Sequence, residues 1–306
     1  MRETFETWSP RGETAALVET INTICREYAA QGYELTLRQL YYQLVARDIV
    51  PNTFRSYKRV GTIVDNARMA GLLDWSYIVD RTRNVYRTDG IDTSPEDAIE
   101  ATARSYARRL WETQPYHVEA WVEKEALAGV VQRAADEVGI NYFSCRGYVS
   151  QSEMYASGRR FASIVRGGKD GVIVLHLGDH DPSGIDMSRD IRDRLDTFSR
   201  GGVSRGQIQV HRIALNMAQV EEYNPPPNFA KVTDARYAEY EARYGENSWE
   251  LDALEPAVLH DLIVSHTLRY RDEDLWAEAK ERQEREREAL QAISDRFEDV
   301  VEYLEV

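Results

Sequence analysis

Two aspartates one residue apart, Asp179 and Asp181, close the apolar run Val172-Ile173-Val174-Leu175-His176-Leu177-Gly178 and precede a Pro182-Ser183-Gly184 turn. Side chains at i and i+2 of a strand share one side, so both carboxylates are expected to project from the carboxyl end of a buried strand. Ligands of open α/β sheets collect at that end. A second apolar run, Tyr116-His117-Val118-Glu119-Ala120-Trp121-Val122, stops at Glu123. Glu123, Asp179 and Asp181 on neighbouring strand ends would hold a hard divalent cation, Mg²⁺ or else Mn²⁺, through oxygen ligands and retained waters. Each also has a plainer use, Asp181 as a helix N-cap and Glu123 as an acid in a first helical turn. His180 should face the other side and pack, and His176 should lie in the core. Cys25 and Cys145 stand far apart and read as small packed side chains.

The elements that must carry these residues alternate. Strands are expected over 116–122, 141–145, 171–178 and 207–214, and helices over 124–138, 151–166 and 183–199. That order predicts an α/β fold with a mostly parallel, Rossmann-like sheet covered by helices. Before it, the spacing predicts helices over 12–31, 37–47 and about 55–70, then a short extended stretch from Trp75 to Val79, the order of a winged helix. Ser94-Pro95 should open a linker helix running to about Thr113. Pro225-Pro226-Pro227 ends the regular unit, and the remainder reads as helical, with one long charged helix from Arg271 to Tyr303. The expected domains are 1–92, a linker over 93–114, the sheet domain over 115–228 and a helical extension over 229–306.

Net charge is −14, which argues against a nucleic-acid partner until its distribution is read. From Arg271 to Val306 there are 13 acids and 6 bases, whereas from Thr36 to Asp89 there are 9 bases and 5 acids. A basic amino-terminal module therefore stands beside an acidic tail. Arg55, Lys58, Arg59 and Arg68 should decorate the third helix and meet DNA, with Arg81 and Arg83 beyond it meeting phosphate. No apolar run approaches the roughly 18 residues of a membrane helix, and the first residues lack a secretory signal's apolar segment. The expectation is a cytoplasmic chain with no membrane partner.

Val122-Glu123-Lys124-Glu125-Ala126 and Gly178-Asp179-His180-Asp181-Pro182-Ser183-Gly184 resemble the two acidic motifs of a Toprim domain, most closely that of the topoisomerase VI A subunit and the related meiotic double-strand-break transesterase. The resemblance implies that Glu123, Asp179 and Asp181 bind Mg²⁺. That family also places a winged helix first, with its catalytic tyrosine in an Arg-x-x-aromatic-Tyr segment similar to Arg38-Gln39-Leu40-Tyr41-Tyr42. Leu37, Leu40, Tyr41 and Leu44 share an apolar stripe, so Tyr41 should be core and Tyr42 should lie on the more polar face near Arg38. Tyrosine transesterification follows as the expected activity, with Arg38 aiding Tyr42 and Glu123 serving the metal. The family joins tyrosine and metal across a dimer, so a homodimer is expected, and the lack of a Gly-x-x-x-x-Gly-Lys loop calls for a separate ATPase subunit if the activity is a topoisomerase's. Two alternatives stand beside it: a Toprim nuclease using activated water, like the nuclease of the Wadjet plasmid-defence system, and a DNA-binding adaptor without catalysis. Trp249-Glu250-Leu251-Asp252-Ala253-Leu254 resembles an acidic segment found after the core in some Toprim proteins, and serves equally well as a helix start.

Overall fold

Gly171–Leu177 forms a strand buried along its whole length, as a continuous Val/Ile/Leu run must be when helices cover both faces of a parallel sheet. In the computed structural model, which describes residues 2–79, 94–201, 203–230 and 232–304, this is β3 of a four-stranded sheet. Its companions are β1 (Tyr116–Val122), β2 (Asn141–Ser144) and β4 (Ile208–Ala214). All pairings are parallel and the order is β2-β1-β3-β4. The chain moves from β1 outward to β2, then returns across β1 to β3. The switch point, where adjacent strands send their connections in opposite directions, falls between β1 and β3.

Alternating side chains of the interior strands feed two cores. Val118, Ala120 and Val122 of β1 join Ile173, Leu175 and Leu177 of β3 beneath α5 (Ala128–Val138) and α10 (Pro256–Leu268). Trp121, Val172 and Val174 point the other way, against α6 (Gln151–Arg166) and α7 (Pro182–Phe198). The four strands and three helices expected from sequence are all present, within a few residues of their expected ends.

The amino-terminal helices are α1 (Gly12–Ala30), α2 (Leu37–Ala46) and α3 (Phe54–Met69). Thr36 closes a capping box with Gln39 at the start of α2, and Thr53 caps α3. The expected extended stretch from Trp75 is instead a 3₁₀ turn over Trp75–Tyr77, capped by Asp74. Extension begins only at Ile78, which bridges Leu35 in parallel. The turn is drawn in by Arg68, whose guanidinium donates to the carbonyls of Trp75 and Ile78.

The linker helix α4 (Pro95–Ser105) is shorter than expected. Tyr106 donates its hydroxyl to Glu286 at 2.5 Å, and the Arg108 amide donates to Gln283 at 2.8 Å. Those bonds to α11 (Glu273–Asp295) replace the helix over 106–109. The long charged helix is also divided: Arg296 leaves helical φ, and α12 (Phe297–Leu304) follows. The other carboxy-terminal elements are α8 (Met217–Tyr223), the two-stranded β5 (Asn228–Phe229) with β6 (Asn247–Ser248), and α9 (Tyr237–Tyr244). Trp276 of α11 packs edge-on against Trp111. No helix among the described residues is long and apolar enough to cross a membrane.

Candidate active site

Glu123 leaves β1 and Asp179 leaves β3 at the switch point, and the backbone fastens them together. The Glu123 amide donates to Leu177 O at 2.9 Å, and the Asp179 amide donates to Glu123 Oε2 at 2.9 Å. Asp179 Oδ1 accepts from the Leu251 amide at 2.8 Å and pairs with Lys124 Nζ at 2.9 Å. Asp181 is the N-cap of α7, accepting from the Gly184 amide at 2.6 Å and from Ser183 Oγ at 2.9 Å. The turn tolerates nothing larger than glycine at 184, since a Cβ there would stand 2.2 Å from Asp179 O.

Each carboxylate thus spends one oxygen on the protein. Among the described residues, Glu123 Oε1, Asp179 Oδ2 and Asp181 Oδ2 have no hydrogen-bond donor. Among the same residues, no three His, Cys, Asp or Glu side chains stand close enough together to hold a metal ion as they are placed.

Negative charge is in excess here. Burial and then Asp179 push the Glu123 carboxyl up to about 7, and burial pushes Asp179 up as well. Arg212, half-buried, donates to the carbonyls of Gly178 and Gly184 at 2.8 Å, so it is part of the wall. Burial draws its pKa down to about 10, against the pull of Glu123, Asp179 and Asp181. Counting Glu250 and Asp252, five carboxylates meet three cations, Lys124, Arg38 and Arg212, for a net charge of −2. Such a group has oxygen donors and the charge to accept a divalent cation.

Comparison with protein-family models, curated proteins and solved structures finds no match for this chain.

Glu250 and Asp252 reach the site because Trp249 pairs with His180 by two backbone hydrogen bonds, of 2.8 and 2.9 Å. Lys124 Nζ donates to Glu250 Oε2 and to Asp252 Oδ1, both at 2.8 Å. Burial works against Glu250's charge, but Lys124 and Arg38 overcome it and hold the carboxyl at about 2. The only sequence signal for this segment is the acidic pattern over 249–254. His180 packs, as expected, with Nδ1 on the Tyr240 hydroxyl at 2.8 Å, and His176 is buried on Ser188. Cys25 and Cys145 are buried free thiols.

Tyr42 is not on an open polar face. It is 4 % exposed, as Tyr41 is. The side of α2 that a lone helix would turn to solvent is covered by Leu251–Ala253, and Ala253 belongs to the core of α1, α2 and α3. The Tyr42 hydroxyl accepts from Asn228 Nδ2 at 3.3 Å. Burial, then Glu250, push its pKa up to about 12. Arg38 lies 5.9 Å from its ring centroid, but the guanidinium is engaged by Glu250 and by Asp252 at 3.2 Å. Burial and Glu250 thus favour the neutral phenol, and Arg38 is not free to aid Tyr42 as expected. Tyr42, Glu250, Lys124 and Asp179 are linked within one chain.

On α3, Arg55, Lys58 and Arg59 are exposed and have no ion-pair partner among the described residues. Arg68 is half-buried and engaged by the 75–78 turn, so it is a structural residue. Arg81 and Arg83 lie outside the described residues.

Proposed function

We propose that this protein cleaves DNA in a Mg²⁺- or Mn²⁺-dependent manner at the edge carrying Glu123, Asp179 and Asp181, with water as the attacking group. The observation that supports this reading is that Glu123 and Asp179 leave adjacent strands at the switch point between β1 and β3, joined through the Asp179 amide, with Asp181 two residues on and with burial, then Asp179, raising Glu123 to about 7. On this reading the cation is held by Glu123, Asp179 and Asp181, and it neutralises charge developing on the scissile phosphate. Lys124 and the Leu251 amide fix Asp179, and the Asp179 amide fixes Glu123, so the acidic edge is preorganised before substrate arrives. Arg55, Lys58 and Arg59 supply a sequence-independent hold on the phosphate backbone. The amino-terminal helices then act as a winged-helix-like module, and the sheet domain as a Toprim-like one.

A second reading keeps Tyr42 as the nucleophile, forming a tyrosyl-phosphate adduct. It is favoured by the placement of the hydroxyl next to Glu250, one ion-pair step from Lys124 and Asp179. It requires Arg38 to leave its carboxylates and the phenol to be uncovered and deprotonated.

A supercoiled-plasmid assay with Mg²⁺ or Mn²⁺ tests both. Wild type and Tyr42→Phe should nick alike, and Asp179→Ala should be inactive. Loss of nicking in Tyr42→Phe, together with protein trapped on wild-type DNA ends, replaces water with Tyr42. DNA binding without cleavage by wild type, with either metal, refutes both and leaves a binding adaptor.

A further inference from the structure

A cavity of about 430 Å³ opens between the α2–α3 turn and β5, beside Tyr42. That volume falls within the roughly 300–1,000 Å³ of small-ligand sites. Its wall is aromatic: Tyr41 lies between Tyr42 and Tyr57, with ring centroids 5.6 and 5.3 Å away. Two further rings stand on its lining with almost no cover, Phe54 at 70 % exposure and Phe229 at 86 %. They come from parts of the chain 175 residues apart in sequence, yet border one opening, and Asn52 joins the two sides by donating to Asn228 Oδ1 at 2.9 Å. Leaving two phenyl rings in water forgoes their burial.

The polar groups are those that read a base edge. Asn228 Nδ2 donates to Tyr42 and to Glu250, both at 3.3 Å, the long end of the hydrogen-bond range, so its amide can transfer to a better acceptor. Around the Phe54 side the charge is positive. Lys58 Nζ lies 4.7 Å from the Phe54 ring centroid, and Arg55 and Arg59 are exposed on the same helix. Aromatic platforms beside a cationic track are the means by which proteins hold unpaired nucleotides, the rings taking bases and the cations taking phosphates. A peptide's aromatic side chain would use the rings but not the cationic rim.

We propose that this cavity receives one unpaired DNA base, stacked on Phe54 and Phe229, with its edge on Asn228. The inference rests on the reading that the protein acts on DNA, and it adds that the preferred substrate carries an unpaired or extruded nucleotide.

The test uses the full-length protein, a fully paired duplex and the same duplex with one unpaired 2-aminopurine, followed by fluorescence anisotropy and by 2-aminopurine emission. Wild type should bind the bulged duplex roughly fivefold to a hundredfold more tightly, the span expected for stacking one base, and should quench the probe. Phe54→Ala and Phe229→Ala remove exposed side chains, so both variants should melt as wild type does. They should lose the preference and keep the affinity for paired DNA. A double change of Arg55 and Arg59 to Ala should weaken both duplexes alike. Equal binding of the two duplexes by wild type without quenching, or a preference that survives both Phe variants, overturns this inference alone. Binding of neither duplex overturns it together with the DNA reading.

Discussion

Replacing Glu123 with glutamine should stabilise the metal-free protein, and only above a definite pH. The carboxyl goes from an ordinary 4.5 to about 7 on folding, so the folded state binds the proton more tightly. A carboxyl with a raised folded pKa costs nothing below 4.5 and its full penalty above 7. A difference of about 2.5 units corresponds to about 3 kcal/mol. Glutamine keeps the oxygen that accepts from the Asp179 amide and carries no charge. Its advantage over wild type should therefore be near zero at pH 4.5 and reach about 3 kcal/mol at pH 8, or roughly 6–10 °C in Tm for a chain of this size. The comparison must be between the two proteins at each pH. His176 and His180, lowered by burial to about 3 and about 4, take stability away as pH falls below 6.5, and they do so equally in both. Thermal melts in EDTA across pH 4.5–8 measure the difference. A gap independent of pH would refute the argument that uncompensated charge at this edge is what burial has left there. Adding Mg²⁺ at pH 8 should close most of the gap, raising wild type by about 2.7 kcal/mol at a hundred times Kd and Glu123→Gln far less.

Lys124→Met should be among the most damaging single changes, costing about 3–5 kcal/mol by denaturant melts, because Asp179 would lose its cationic partner and Glu250 and Asp252 would be left with Arg38 alone. Glu119 sits midway along β1, where burial opposes its charge but His117, Arg160 and the Trp121 indole hold it at about 2. Its contribution is complete above pH 4.5 and fades as pH falls toward 2, so Glu119→Gln should cost about 3 kcal/mol at pH 7 and much less at pH 3. Gly184→Ala should lower stability by about 1–3 kcal/mol and weaken Mg²⁺-induced stabilisation, because the new methyl displaces Asp179. Arg55→Ala should leave Tm unchanged while reducing DNA affinity and lowering the salt slope by about 1, whereas Arg68→Ala should lower Tm.

What was legible in the sequence followed from burial on two sides. β3 is enclosed along its whole length and β1 from Val118 onward, so their composition alone marks them, and their ends locate Glu123, Asp179 and Asp181. What was not legible depends on a third element arriving from far along the chain. Tyr42 has helical neighbours that leave it on a polar stripe, and nothing within α2 announces that Leu251–Ala253 will cover it. That segment and its N-cap supply Asp252 and Glu250, which turn Arg38 from a prospective aid to Tyr42 into an ion-pair partner. The extension expected from Trp75 begins only at Ile78 for a local reason, the pull of Arg68 on two carbonyls, which a run of β-forming residues does not reveal. Locating the acidic edge needed only local patterns; deciding how its neighbours are charged needed the tertiary structure.

Lys124 touches Glu250 across 126 residues of sequence, and Arg38 touches it across 212. During synthesis the four strands can pair and α5, α6 and α7 can dock before the 249–253 segment leaves the ribosome. Until then the ammonium has only Asp179 and the guanidinium has neither carboxylate, while Tyr42 lacks its cover. The finished arrangement, with its phenol shielded and its cations engaged, is thus a late event in the life of each molecule. An incomplete chain would carry an acidic edge and an open tyrosine together, a combination that the complete protein no longer presents.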